Sequence, residues 1–223
     1  MAVYHYYMSN RGEFMMKPKK ITPFQICLVA MAVGINVAGG QLALVLRLPI
    51  YLDSIGTIFT GALLGPWFGM LPNLLSGIFM GMTTDIYSLY FAPAGMVTGF
   101  MSGLVWKRWL SGKEISHLKG KLWLWALAVT IPGSIVSSII CAVVFGGITS
   151  SGSMVLVQIL ARTPLGMTAS IFLVQIFTEY LDRAVSMLLV AAFLQALPRD
   201  LKQKWKGEPN YGRATGTIQQ NHQ

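Results

Sequence analysis

The stretch Tyr51–Gly69, YLDSIGTIFTGALLGPWFG, decides the fold class because it is apolar yet too short for an ordinary membrane span. It starts near Asp53, and Gly65-Pro66 interrupts it after about thirteen residues, whereas a helix that crosses a bilayer needs about twenty. Short helices interrupted by Gly and Pro are tolerated in membranes when they are buried in protein or line a cavity. The stretch therefore predicts either a packing hairpin or one wall of a cavity.

The composition of the whole chain places it in a membrane. The sequence is 54% hydrophobic and 11% charged, with a mean hydropathy of +0.58, whereas soluble domains carry about a quarter of charged residues. The net charge of +9 does not indicate a nucleic-acid partner, because the Lys and Arg residues flank apolar segments, as the positive-inside rule expects.

The apolar segments predict an all-α integral membrane protein with six transmembrane helices. Thr22-Pro23 marks the start of the first helix, since it is a favourable N-cap and N1 pair. Gly65-Pro66 forms a tight turn between the second and third helices, and Pro132-Gly133 interrupts the fifth. The predicted spans are about 21–46, 53–65, 67–82, 91–106, 122–147 and 170–197.

The charge distribution gives the expected orientation. With both termini cytoplasmic, all Lys and Arg residues except Arg47, Arg162 and Arg183 lie on the inner side. The chain then divides into a cytoplasmic N-terminal segment (1–20), a six-helix transmembrane domain (21–198) and a cytoplasmic basic and polar tail (199–223).

Asp53 and Asp85 are the first candidate site residues, because ionisable groups within membrane segments mark functional sites by default. They begin and end the excursion formed by the second and third helices, so both are expected at the outer boundary. Asp53 is expected to cap the short second helix. The alternative is that each is a plain cap or a solvated loop charge.

Further candidates accompany these two acids. Asn73 lies within the third span, and Thr84, Tyr87 and Tyr90 belong to the polar and aromatic segment TTDIYSLY (83–90). A mixture of aromatic and polar groups suits a flat organic ligand, although aromatic belts at the interface produce the same pattern.

The last part of the chain offers another polar group. Arg162 is the candidate taken from a set that also contains Glu179, Asp182 and Arg183. These side chains either contact a ligand or pair with one another. The i,i+4 spacing of Glu179 and Arg183 favours a salt bridge between those two.

The first span carries small residues at fourfold spacing, Ala30, Gly34 and Ala38. Such rows let helix backbones approach closely and mark helix–helix interfaces in lipid. Spacing alone leaves open whether the partner helix is internal or in another subunit.

Motifs for catalysis and for ATP hydrolysis are missing from the sequence. There is no G-x-x-x-x-G-K-[ST], H-E-x-x-H or G-x-S-x-G, and the histidines and cysteines have no metal-ligand spacing. We therefore expect neither an enzyme nor a metal or cofactor site.

The pattern resembles the S component, the substrate-binding membrane subunit, of energy-coupling factor (ECF) vitamin transporters. The features that carry the resemblance are the chain length, six spans with both ends inside, the row Ala30-x-x-x-Gly34, and the stretch LPIYLDSIGTIFTGALLGPWFGML (48–71) running into a Gly-Pro turn. In this family the small-residue motif is usually Ala-x-x-x-Ala, so Gly34 departs from it while keeping a small residue.

The resemblance implies a multi-pass protein of the bacterial plasma membrane that binds a vitamin in an outward-facing pocket. It implies partners, namely a transmembrane coupling subunit and two ATPases that hydrolyse the ATP, and it assigns Ala30 and Gly34 to the interface with them. The LPIYLDSIGT-type stretch is similar to members assigned to cobalamin, which ranks first among the expected ligands. Pantothenate, riboflavin or another small vitamin or precursor remains open, as do a stand-alone secondary transporter and a scaffold without a ligand.

Overall fold

The structure is a computed structural model that describes residues 3–8, 14–19, 21–110, 119–146 and 152–196. A two-stranded antiparallel hairpin, β1 (Val3–Met8) and β2 (Phe14–Lys19), precedes the helices, with Val3 opposite Lys19. From residue 21 onward the described chain is helical. The predicted tail, 199–223, lies outside the described residues.

In the described part of the chain, seven helices follow the hairpin. They are α1 (Pro23–Val45), α2 (Ile55–Leu64), α3 (Pro66–Thr83), α4 (Ile86–Val105), α5 (Lys119–Phe145), α6 (Met154–Ala161) and α7 (Gly166–Ala196), and α4 is extended by a π-helical turn, Trp106–Leu110. All six predicted spans have a helical counterpart. The additional helix, α6, lies between the fifth and sixth predicted spans.

Local sequence signals account for several helix ends. Thr22 and Gln25 form a capping box, in which the Thr22 hydroxyl accepts from the Gln25 N–H and the Gln25 side chain accepts from the Thr22 N–H, with Pro23 in the first turn. Gly65 separates α2 from α3 at φ +94°, a conformation that favours glycine. Both boundaries agree with the sequence prediction.

The predicted interruption of the fifth helix at Pro132-Gly133 is wrong, because α5 runs through both residues without a break. Proline is tolerated inside membrane helices, where neighbouring groups satisfy the freed backbone. Three helices of the described chain are long and apolar enough to cross a membrane, Pro23–Val45, Ile86–Arg108 and Lys121–Phe145. The described parts of the chain from residue 21 to residue 196 are therefore those of an all-helical membrane protein.

The bundle is apolar outside and partly polar inside. Large side chains such as Val45, Leu124 and Val143 are exposed, whereas buried positions include many hydroxyl and amide groups. Water would penalise this surface, whereas lipid tails would not. Asn36 shows how the interior is satisfied: its amide donates to Thr57 Oγ1 and accepts from the Gly56 N–H, both at 2.8 Å.

The two ends of the bundle differ in character. At the end where α4 finishes and α5 begins, an apolar core fills the space between the helices. Its members are Leu28, Ile58, Phe59, Val105, Trp106, Leu122, Ala126, Val129, Ala184, Met187, Val190, Ala191 and Leu194. The opposite end holds the loop between α1 and α2, the turn between α3 and α4, and the N-terminal half of α7. The cavity described below lies there.

Helices α3 and α4 pack through glycines that allow backbone contact. A Cβ added to Gly99 would lie 2.1 Å from the carbonyl oxygen of Gly69, and one added to Gly69 would lie 2.5 Å from that of Gly99. Close approach of this kind is how helices associate where lipid supplies no hydrophobic drive. Gly34 of α1 is different, because no heavy atom lies within 4 Å of a Cβ placed there.

We predict that Gly99→Ala destabilises the protein, whereas Gly34→Ala does not. The first substitution forces α3 and α4 apart, and overpacking typically costs about 1–3 kcal/mol. The second fills open space in a helix interior, where alanine is favoured over glycine by up to about 1 kcal/mol. Thermal unfolding of the purified variants in detergent measures both, and equal melting temperatures would contradict the packing of α3 on α4.

Candidate functional site

A cavity of about 70 Å³ lies among α3, α4, α5, α7 and the loop 46–54. Room for one water takes roughly 10–15 Å³ on this measure, so the cavity accommodates on the order of five waters or a small organic ligand. Its lining is Pro49, Tyr51, Asp53, Asn73, Ser76, Gly77, Met80, Asp85, Ser88, Phe91, Ala94, Gly95, Ser137, Gln175, Thr178, Glu179, Asp182 and Arg183.

Asp182 fixes the loop 46–54 over this cavity. Its Oδ1 accepts from the Leu52 N–H at 2.9 Å, and its Oδ2 accepts from the Ser54 hydroxyl at 3.0 Å and from Arg183 Nη1. Leu52 has a φ of +52°, which is uncommon for a bulky residue and is sustained here by the surrounding contacts. The residues before and after Asp53, Leu52 and Ser54, are thereby both hydrogen-bonded to α7.

Helix α7 presents a polar stripe to the interior. Its members recur at helical spacing and are Gln175, Thr178, Glu179, Asp182, Arg183 and Ser186. Two hydroxyls of α5 satisfy Glu179: Ser134 donates to Oε2 at 2.9 Å, and Ser137 donates to Oε1. Arg183 Nη2 approaches Glu179 Oε2 at 3.9 Å, so the expected i,i+4 ion pair exists and also lines the cavity.

Asp53 is not the cap of α2, which corrects the sequence prediction. Ser54 occupies the N-cap position without a side-chain capping bond, because its hydroxyl is engaged by Asp182. The Asp53 carboxylate instead turns to the cavity, 3.9 Å from Arg183 Nη1, with 33% of the side chain exposed.

Two other predicted residues line the opposite wall. Asn73 of α3 is buried, and a Cβ added to Gly95 of α4 would lie 1.8 Å from its Oδ1, so this glycine makes room for the amide. Asp85, at the start of α4, accepts from the Ser88 hydroxyl at 2.9 Å. The structure therefore brings Asp53, Asn73 and Asp85 to one cavity from three places in the chain.

The remaining predicted site residues lie elsewhere in the described part of the chain. Thr84 accepts a hydrogen bond from Gln41 Nε2 at 2.6 Å. Tyr87 and Tyr90 pack on Phe145, with ring centroids 4.8 and 5.3 Å from it. Arg162 is exposed at the end of α6. None of these four side chains is part of the cavity lining.

From the set Arg162, Glu179, Asp182 and Arg183, the sequence prediction took only Arg162 into the site, although ligand contact was an alternative for all four. The signal that identifies the other three is the polar stripe of α7, in which hydrophilic residues repeat at i, i+3 and i+4 within an apolar helix. In lipid such a stripe faces the bundle interior. The serines of α5 follow the same rule, at Ser134, Ser137 and Ser138.

The carboxylates do not form a metal site in the part of the chain that the structure describes, because no group of three or more His, Cys, Asp or Glu side chains has the required convergence there. Comparisons with protein-family models, with curated proteins and with solved structures gave no match.

We predict that Asp182→Ala strongly destabilises the protein. The substitution releases the loop 46–54 and leaves Arg183 with only the two carboxylates at 3.9 Å, and breaking a buried ion pair costs about 3–5 kcal/mol. The measurement is the free energy of unfolding in mixed micelles. Thr83→Ala is the control, because this exposed hydroxyl donates to the carbonyl of Phe79 in its own helix, and surface changes stay within about 0.5 kcal/mol. A similar loss in both variants would contradict the anchoring role.

Proposed function

We propose that the chain is a substrate-binding membrane subunit that takes a small vitamin or vitamin precursor from outside the cell. It then delivers this ligand by association with a transmembrane coupling subunit and two ATPases, as the resemblance to ECF S components implies. The observation that carries the proposal is a polar cavity at one end of the bundle, with an apolar core filling the other end.

The orientation of that cavity supports uptake. In the sequence, basic segments follow α4, precede α5 and follow α7, and the helix ends that adjoin them lie at the end of the bundle that holds the apolar core. The positive-inside rule then places the cavity at the outer face of a six-span bundle of the plasma membrane, with both termini inside. A ligand enters from outside, and among the described residues an apolar core that includes Ala184 of α7 closes the inner end of the bundle.

A partner explains how a ligand leaves such a blind cavity. The row Ala30, Gly34 and Ala38 is exposed on α1, beside exposed Met31 and Ile35. Gly39, on the neighbouring face of α1, has no such open space, because it lies against the backbone of Leu52. The row is thus free for a helix of another subunit, in agreement with the interface that the resemblance implies.

The size of the cavity favours a small ligand over cobalamin. About 70 Å³ is well below the roughly 300–1,000 Å³ of pockets that hold drug-sized molecules. Among the ligands left open by the sequence, a small vitamin or precursor fits best.

A stand-alone secondary transporter is the second candidate, because Asp53, Glu179, Asp182 and Arg183 form an ionisable group of the kind that relays protons. Reconstitution into proteoliposomes separates the two. We expect uptake of the ligand that co-purifies with the protein, identified by mass spectrometry, only when the coupling subunit, the ATPases and ATP are present. Uptake by the chain alone under a proton or sodium gradient would establish the second candidate instead.

We predict that Gly34→Trp abolishes ATP-dependent uptake while stabilisation by the ligand is retained. The indole blocks the approach of a partner helix at a position with open space around it. Leu124→Trp is the matched control, since it adds the same side chain at an exposed position of α5 and should leave uptake near the wild-type rate. Loss of ligand binding with retained complex formation in Gly34→Trp would contradict this assignment.

A further inference from the structure

The cavity has a strongly unbalanced charge. Four carboxylates, Asp53, Asp85, Glu179 and Asp182, line it together with a single guanidinium, that of Arg183. The described lining therefore has a formal excess of three negative charges when all groups are ionised. A cavity of this sign attracts cations and repels anions, because the surrounding low dielectric strengthens both effects.

The carboxylates that line the cavity differ in how many hydrogen bonds they accept from the protein. Asp182 accepts from a backbone N–H, a hydroxyl and Arg183, and Glu179 accepts from two serine hydroxyls. Arg183 lies 3.9 Å from Asp53, which is beyond the 2.7–3.2 Å of an N–H···O hydrogen bond. Asp53 therefore keeps acceptor capacity on the side that faces the cavity.

Arg183 supplies the complementary observation. The residue is 7% exposed, and its Nε–H has no hydrogen-bond partner among the described residues. A buried donor without an acceptor is costly unless something else binds it. The wall of the cavity thus combines an under-used acceptor at Asp53 with a guanidinium, that of Arg183, whose hydrogen-bonding capacity the described residues do not fill.

We propose that the cavity selects a small ligand with a cationic nitrogen, bound by the Asp53 carboxylate, and with a hydrogen-bond acceptor for Arg183. An ammonium, an amidinium or a protonated heterocycle meets the first requirement. The aromatic rings of Tyr51 and Phe91, which also line the cavity, add favourable cation–π surface. This inference rests on the proposed function, and it makes pantothenate, an anion at neutral pH, a poor candidate.

A charge series at constant shape tests the selectivity without any mutation. The full-length protein in detergent is heated with benzamidine, benzamide or benzoate, three probes of nearly equal size, and with a panel of vitamins and precursors sorted by charge. We expect cations to raise Tm, since a ligand that binds only the folded state stabilises it. Neutral and anionic members of each matched set should have little effect. Equal or larger shifts from benzamide, benzoate or uncharged vitamins would overturn the proposal.

Two variants of Asp53 then locate the contact. Asp53→Asn keeps the shape and removes the charge, so we expect the Kd of the best cation to rise about 10- to 100-fold, the loss typical of a hydrogen bond to a charged group. Asp53→Glu keeps the charge and should lose less.

The outcomes separate this inference from the function on which it rests. A stabilising ligand that is neutral or anionic, or cation binding that is unchanged in Asp53→Asn, overturns the charge selectivity and leaves the proposed uptake function standing. A protein that no compound of any charge class stabilises, and that takes up nothing with the coupling subunit and ATPases, overturns both.

Discussion

The buried ion pair between Asp182 and Arg183 is the interaction on which the rest of the structure depends. Two adjacent charges inside an apolar bundle carry a large desolvation cost, which is offset only when the remaining polar atoms find partners. Asp182 meets this condition with the Leu52 N–H and the Ser54 hydroxyl. Satisfying the pair therefore pulls the loop 46–54 onto α7, and this position of the loop encloses the cavity.

The same constraint explains why the bundle is organised with polar groups inside. Lipid cannot satisfy hydroxyl, amide or carboxylate groups, so each of these must meet another within the bundle or face a cavity. Serines of α5 meet Glu179, and Asn36 meets Thr57 and Gly56. Beyond Ser186 on α7, the buried side chains Met187, Val190, Ala191 and Leu194 belong to the apolar core that closes the bundle. The cavity and the closed end are thus two consequences of one sequence pattern.

The sequence predicted the helices better than it predicted the site. Apolar length, the Thr22-Pro23 cap and the Gly65-Pro66 turn are local signals, and the structure reproduces the boundaries they indicate. The interruption predicted at Pro132 was wrong because a proline breaks a membrane helix only where no neighbouring group satisfies the backbone group that it frees. The sequence does not show which groups lie beside it in the fold. The Ser54 hydroxyl is occupied by a residue 128 positions away, so no local rule could tell that Asp53 is free of the capping role.

For the cavity residues, the failure has a specific cause. Asp53, Asn73 and Asp85 were found because each stands out alone as a polar group beside apolar sequence. Glu179 and Arg183 were interpreted as a salt bridge, which is correct, yet their stripe along α7 also faces the cavity. The i,i+4 spacing of these two residues identifies the salt bridge between them. The polar stripe along the whole of α7 shows in addition that both side chains face the bundle interior, and this second pattern identifies them as residues of the cavity wall.

The shortness of α2 follows from where Asp53 must lie. Ten residues at 1.5 Å each give about 15 Å, roughly half of the 30 Å hydrocarbon core that α1, with 23 residues, is long enough to cross. The chain after α1 must therefore descend as a loop before α2 can begin. That descent carries Asp53 down to the level of Glu179 and Arg183 on α7. A full-length helix at this position would keep the carboxylate away from Arg183 and fill the space of the cavity, so the shortness of this apolar segment leaves room for the cavity.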